Sequence, residues 1–201
     1  MKTTAKIISI LFHPAILPTI GLLIIFNTNS YINYTIAPEL KQALLLLVLM
    51  NTMIIPIFLS LVLILTKKID NLEMETQKER YYPYIFTIIF YLFTLFRLYE
   101  EPISPIIFNF MIGATISVIL AFIVNFKWKI SAHMIGIGGL IGALISIALL
   151  LGVYIIPMLL ASIFVAGLLG TSRLILKAHT PAQIYIGFIL GVLCQITSMY
   201  F

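Results

Sequence analysis

Long apolar runs alternate with short polar intervals along this chain, and the run lengths decide the fold class. Residues 7–26, 42–66, 81–99, 104–126, 133–152, 154–170 and 181–200 carry a single lysine or arginine among them, Arg97. About 20 helical residues, at roughly 1.5 Å each, cross the ~30 Å hydrocarbon core of a bilayer. The pattern therefore predicts an all-α polytopic transmembrane bundle of about seven spans, with six as the main alternative. All of residues 1–201 form one domain.

Punctuation refines the spans. His13-Pro14 and Pro18 interrupt the first run, and no small-residue cleavage site follows it, so it reads as a retained, kinked span rather than a signal peptide. His13, beside a proline, reads as structural. Pro56 kinks the second run. The Asn-, Thr-, Ser- and Tyr-rich stretch 27–38 reads as a loop, and Glu100-Glu101-Pro102 as a tight turn. Residues 67–80 mix both signs, with Glu73, Glu75, Lys78 and Glu79 at near-helical spacing, which predicts a solvated helical connector. Lys127-Trp128-Lys129 forms a basic aromatic anchor. Thr180-Pro181 starts the last helix, with Thr as N-cap and Pro at the first position.

Glycines predict packing. Gly136, Gly138, Gly139 and Gly142 lie in the run 133–152, and Ala161, Ala166, Gly167 and Gly170 in the run that follows it. Small residues let helix backbones approach closely in lipid. The expectation is that these two spans pack together and hold any site, and the same small faces would also suit a homodimer.

Composition then excludes function classes. At 62% hydrophobic and 9% charged, the chain is an integral membrane protein of the kind a bacterial inner membrane would hold. One cysteine, Cys194, leaves no internal disulfide and no cysteine metal cluster, and reads as a packing residue. The net charge of +5 calls for membrane lipids rather than nucleic acid.

Chemistry gathers in the polar intervals. Between residues 171 and 183 stand Ser172, Arg173, Lys177 and His179, with Gln183 four residues beyond the histidine. A guanidinium offers a planar fork of donors to phosphoryl oxygens, and an imidazole nitrogen can attack phosphorus. A second interval holds Ser131 and His133, and a third holds Arg80. Two crossings separate Arg80 from His133 and two more separate His133 from Arg173, so all three intervals emerge on one face. Ten of the twelve basic residues fall on that face, with only Lys41 and Arg97 on the other, and the positive-inside rule then puts the site in the cytoplasm.

Ser172-Arg173, five residues, then His179 and Gln183 resembles the third signature of the type 2 phosphatidic acid phosphatase and vanadium haloperoxidase superfamily. Lys129-Ile-Ser-Ala-His133 resembles its Pro-Ser-Gly-His, with Ile130 and Ala132 replacing Pro and Gly. Arg80 matches the arginine of the first signature, while Glu73 stands at its lysine and Pro83 falls two places late. Gln183 occupies the place of the Asp that orients the nucleophile. The resemblance implies a lipid phosphatase acting through a phosphohistidine on a phosphate or pyrophosphate headgroup, such as phosphatidic acid, phosphatidylglycerol phosphate or an isoprenyl pyrophosphate.

In that scheme His179 attacks phosphorus, Gln183 orients it, and His133 protonates the leaving oxygen and then activates water. Arg80, Ser131, Ser172, Arg173 and Lys177 bind phosphoryl oxygens. No metal or cofactor is implied. Gln183 in place of Asp also suits a non-enzymatic relative that binds lipid phosphates or serves as a membrane partner. A small transporter is the third reading, disfavoured by span interiors almost empty of charge.

Overall fold

The computed structural model describes residues 1–74 and 76–201. Its helices are α1 (Lys2–Leu11), α2 (Leu17–Asn27), α3 (Tyr31–Thr35), α4 (Pro38–Leu49), α5 (Ile55–Leu65), α6 (Tyr81–Tyr99), α7 (Pro105–Asn125), α8 (Ala132–Leu151), α9 (Ile156–Ile175) and α10 (Pro181–Tyr200). Grouped by continuity they make seven segments long and apolar enough to cross a membrane, among the described residues. The all-α transmembrane bundle expected from the run lengths is what the chain forms, at seven spans.

Two spans are broken, each for a local reason. In the first, α1 stops at Leu11 and a single 3-10 turn, Pro14–Ile16, leads into α2. Pro14 lacks the N–H that would continue the ladder. In the second, Pro56 has no N–H for the carbonyl of Thr52 and its ring would crowd that carbonyl, so the chain widens into one π turn over Met50–Ile54. The two breaks touch: Thr52 Oγ1 donates to Ala15 O at 3.0 Å. A carbonyl freed inside a membrane is thus satisfied by a neighbouring span.

The tightest seam differs from the expected one. α8 makes its most extensive contact with α10, and packs less on α9. A Cβ on Gly138 would sit 2.3 Å from Phe188 O, one on Gly142 2.8 Å from Val192 O, and one on Gly191 2.0 Å from Ile135 O. The two helices run parallel, offset by about 50 residues, with backbone against backbone. Gly167 of α9, by contrast, faces open space. Spacing of small residues along one helix shows that something approaches closely, but the partner's own glycines, Gly187 and Gly191, decide which helix it is.

Three boundaries shift as well. The loop 27–38 contains the short helix α3. In the connector 67–80 the described residues form turns, with one 3-10 turn at Lys78–Arg80, rather than a helix. Glu75 lies outside the described residues. Finally, α9 runs five residues beyond the expected Gly170, so Ser172 and Arg173 lie in its last turns rather than in a loop.

Candidate functional site

The site is assembled by the α8/α10 seam. Because those helices are parallel and in backbone contact, their N-termini lie side by side, and Ser131 N–H donates to Gln183 O at 3.4 Å. Around them gather the end of α9, the start of α6 and the connector before it, and the C-terminus of α7, where Asn125 Nδ2 donates to Gln77 O at 3.0 Å. Lys6 of α1 is ion-paired to Glu73 of the connector at 3.1 Å. All three polar intervals meet at this one end of the bundle.

His179 is buried, 8% exposed. Its Nδ1 is 3.2 Å from Lys129 O and 3.1 Å from Gln183 Oε1. Both partners only accept, so Nδ1 carries the proton and Nε2 keeps its lone pair. Burial, reinforced by the neighbouring positive charges of Arg80, Arg173 and Lys129 and opposed only by the Gln183 contact, lowers its pKa from 6.5 to about 4. At neutral pH it is an uncharged imidazole with Nε2 available. Gln183 closes a capping box at the same time: Thr180 N–H donates to Gln183 Oε1 at 3.1 Å, and Gln183 N–H donates to Thr180 Oγ1 at 3.4 Å.

Arg80 and Arg173 are 7% and 8% exposed and close enough to feel each other's charge. Arg80 donates through Nε to Met74 O and through Nη1 to Ile130 O, both at 3.1 Å. Tyr84, one turn along α6, lies beside it with its hydroxyl buried. Arg173 Nε is buried with no hydrogen-bond partner among the described residues. Neither guanidinium is ion-paired to a carboxylate among the described residues; Glu73 lies within electrostatic range of Arg173 and makes its own contact with Lys6. Ser131, fully buried as the N-cap of α8, has a hydroxyl with no hydrogen-bond partner among the described residues. The first turn of α8 adds unpaired backbone amides, favourable to an anion.

The remaining sequence candidates are placed differently. His133 is half-buried, with Nε2 3.1 Å from Ser9 O and its ring edge-on to His13 at 5.5 Å. Ser9 O lacks its usual partner because His13 N–H turns to Ile10 O at the break, so His133 satisfies an orphaned carbonyl of α1. Arg173, His13 and His179 all lie within electrostatic range of it. Ser172 Oγ donates to Leu168 O at 2.7 Å and offers no donor to a ligand in this arrangement. Lys177 is exposed with φ +54°, and Lys177 N–H to Leu174 O with Ala178 N–H to Arg173 O makes it the left-handed residue of a Schellman cap on α9.

Three polar residues join the site that the sequence reading passed over: Ser9, Tyr84 and Asn125. The spacing of Tyr84 four residues after Arg80 was a readable signal. Ser9 and Asn125 sit within or at the end of apolar runs and gave none. No family model, no curated protein and no solved structure matches the chain.

Proposed function

We propose that this protein is an integral membrane lipid phosphatase that removes a phosphate or pyrophosphate from a lipid headgroup through a phosphohistidine. One observation carries the reading: two buried guanidiniums with no carboxylate partner among the described residues stand beside a neutral imidazole whose Nε2 has no partner among them either. Buried cations are costly in a membrane unless something anionic pairs with them. A phosphoryl group supplies that charge, and the same cations stabilise the charge that spreads over its oxygens during transfer.

In the proposed reaction the Nε2 lone pair of His179 forms the N–P bond as the P–O bond to the lipid breaks. The departing oxygen takes a proton from His133, which must leave Ser9 O and carry a proton on both ring nitrogens to act as the acid, so that it returns to the neutral imidazole. Water then attacks phosphorus, gives up a proton to the same imidazole, and releases inorganic phosphate and free His179. Arg80, Arg173, Ser131 and the first turn of α8 hold the oxygens; no metal or cofactor is called on for that charge. Gln183 keeps the proton on Nδ1 but adds no negative charge. The basic residues crowd the site's end of the bundle, which supports a site on the cytoplasmic side, in a bacterium that of the inner membrane.

A second reading is a lipid-phosphate-binding protein without turnover, favoured by the capping role that already explains Gln183. Phosphate release from phosphatidic acid, phosphatidylglycerol phosphate and isoprenyl pyrophosphate by the purified protein separates the two. Release abolished by His179→Ala supports the enzyme, whereas saturable binding with no release, even in Gln183→Asp, supports the binder.

A further inference from the structure

Between α1 and α9 lies a groove of about 540 Å³ whose walls include Ala5, Ile8, Phe164, Gly167, Leu168 and Ser172. The groove exists because Gly167 presents no side chain and a Cβ there would meet nothing within 4 Å. Along α9 it reaches from Ile163 to Ile175. At ~1.5 Å per residue that is roughly 18 Å, close to the ~15 Å that one leaflet contributes to the hydrocarbon core. Its volume lies within the ~300–1,000 Å³ usual for small-molecule sites.

One end of this apolar groove is at the site. Ser172 lines it, and the next residue is Arg173, buried and with its Nε unpartnered. The other end passes toward a smaller apolar cavity of about 200 Å³ between α2, α8 and α9, lined in part by Leu17, Ile137 and Ala161. Phe164 and Leu168 are exposed on the outer surface of the bundle, so the groove is open to lipid. A single molecule with an anionic head and a hydrocarbon tail would occupy groove and cation cluster together.

We propose that the α1/α9 groove holds the hydrocarbon tail of a phosphorylated lipid whose headgroup reaches Arg173, Arg80 and His179. This rests on the anion site described above and adds a lateral entry route: substrate comes from the leaflet, along α9, rather than from water. The broken first span fits the route, because α1 is hinged at His13-Pro14 and fastened near its middle by the exposed Lys6–Glu73 pair, which contributes little.

The test uses the full chain in lipid nanodiscs and a phosphatidic acid with a photoactivatable group in its acyl chain, with adducts mapped by mass spectrometry. Expected are adducts on Ile8, Phe164 or Leu168, reduced at least fivefold by Gly167→Leu, which fills the open space, and increased by Ile163→Ala, which widens it. Unlabelled phosphatidic acid should compete at least tenfold better than diacylglycerol of the same chains. Adducts scattered over other lipid-facing helices, adducts undiminished in Gly167→Leu, or equal competition by diacylglycerol each overturn the tail site. His179-dependent release of phosphate from a tail-less aryl phosphate would leave the phosphatase reading standing in those cases. Groove adducts without release from any substrate would keep the tail site and overturn catalysis.

Discussion

Gln183 Oε1 accepts a hydrogen bond from His179 Nδ1 at 3.1 Å, one helical turn along α10. The same oxygen accepts Thr180 N–H, so one amide fixes both the helix start and the imidazole tautomer. Gln183→Ala removes both. Loss of the cap costs about 1 kcal/mol, and release of the tautomer should slow phosphate release by roughly 10²-fold or more. Thermal unfolding and turnover on one preparation check the pair. A lowered melting temperature with unchanged turnover would assign Gln183 to the cap alone.

The charge state of His179 sets a pH dependence. Its pKa is held at about 4 by burial and by the neighbouring cations, against 6.5 when unfolded. The folded state therefore binds fewer protons than the unfolded state between those values. Its stability contribution is fully present above pH 6.5 and is lost as pH falls toward 4, by on the order of 3 kcal/mol. Turnover should keep its acidic limb near pH 4 rather than 6.5, and Gln183→Asp, by placing a carboxylate on Nδ1, should move that limb upward. An acidic limb near 6.5 in the wild type would place His179 in a more solvated environment than this one.

On the proposed reading, Arg173 is costly to the empty protein and useful only with an anion bound. Arg173→Leu should raise, or leave unchanged, the melting temperature without ligand, by as much as about 1–2 kcal/mol, roughly 2–8 °C in a chain of this size. It should also abolish the stabilisation that inorganic phosphate gives the wild type, about 2.7 kcal/mol at a hundred times its Kd. A melting temperature that drops sharply without ligand would mean that Arg173 is held by protein partners and serves the fold.

The bundle was legible in the sequence because a bilayer converts run length into span count. All three polar intervals were legible too, since an odd or even number of crossings fixes the face. Less legible was anything decided by a partner helix. The glycines of α8 announced a close approach, but Gly187 and Gly191 on α10 were needed to say to what. Ser172 looked like a ligand from its place beside Arg173, and five more residues of helix turned its hydroxyl onto Leu168 O. The role of His133 toward Ser9 O could not be read at all, because the two are 124 positions apart and joined only by the break at His13-Pro14.

The α8/α10 seam predicts which small residues are indispensable. A methyl group on Gly191 would fall 2.0 Å from Ile135 O, and on Gly138 2.3 Å from Phe188 O, both backbone atoms that cannot swing aside. Gly191→Ala and Gly138→Ala should each destabilise the protein by about 1–3 kcal/mol, and also weaken catalysis by parting the N-termini that bring Ser131 and His179 together. Gly167→Ala, facing open space on α9, should be silent in thermal unfolding. If all three behaved alike, the parallel seam would not be what positions the site.

Lys177 is the last case, because its backbone and its charge make opposite predictions. Held at φ +54° as the cap of α9, it is a residue with a Cβ where glycine costs least. If the side chain does nothing, Lys177→Gly should stabilise the protein by about 0.5–1 kcal/mol and leave turnover alone. If it reaches the phosphate in the bound state, the same variant should be more stable and slower, with KM for the lipid phosphate raised several-fold. Lys177→Asn keeps tolerance of the left-handed conformation without the charge. Loss of turnover shared by the Gly and Asn variants, with stability raised in the first, would therefore assign Lys177 a role in binding.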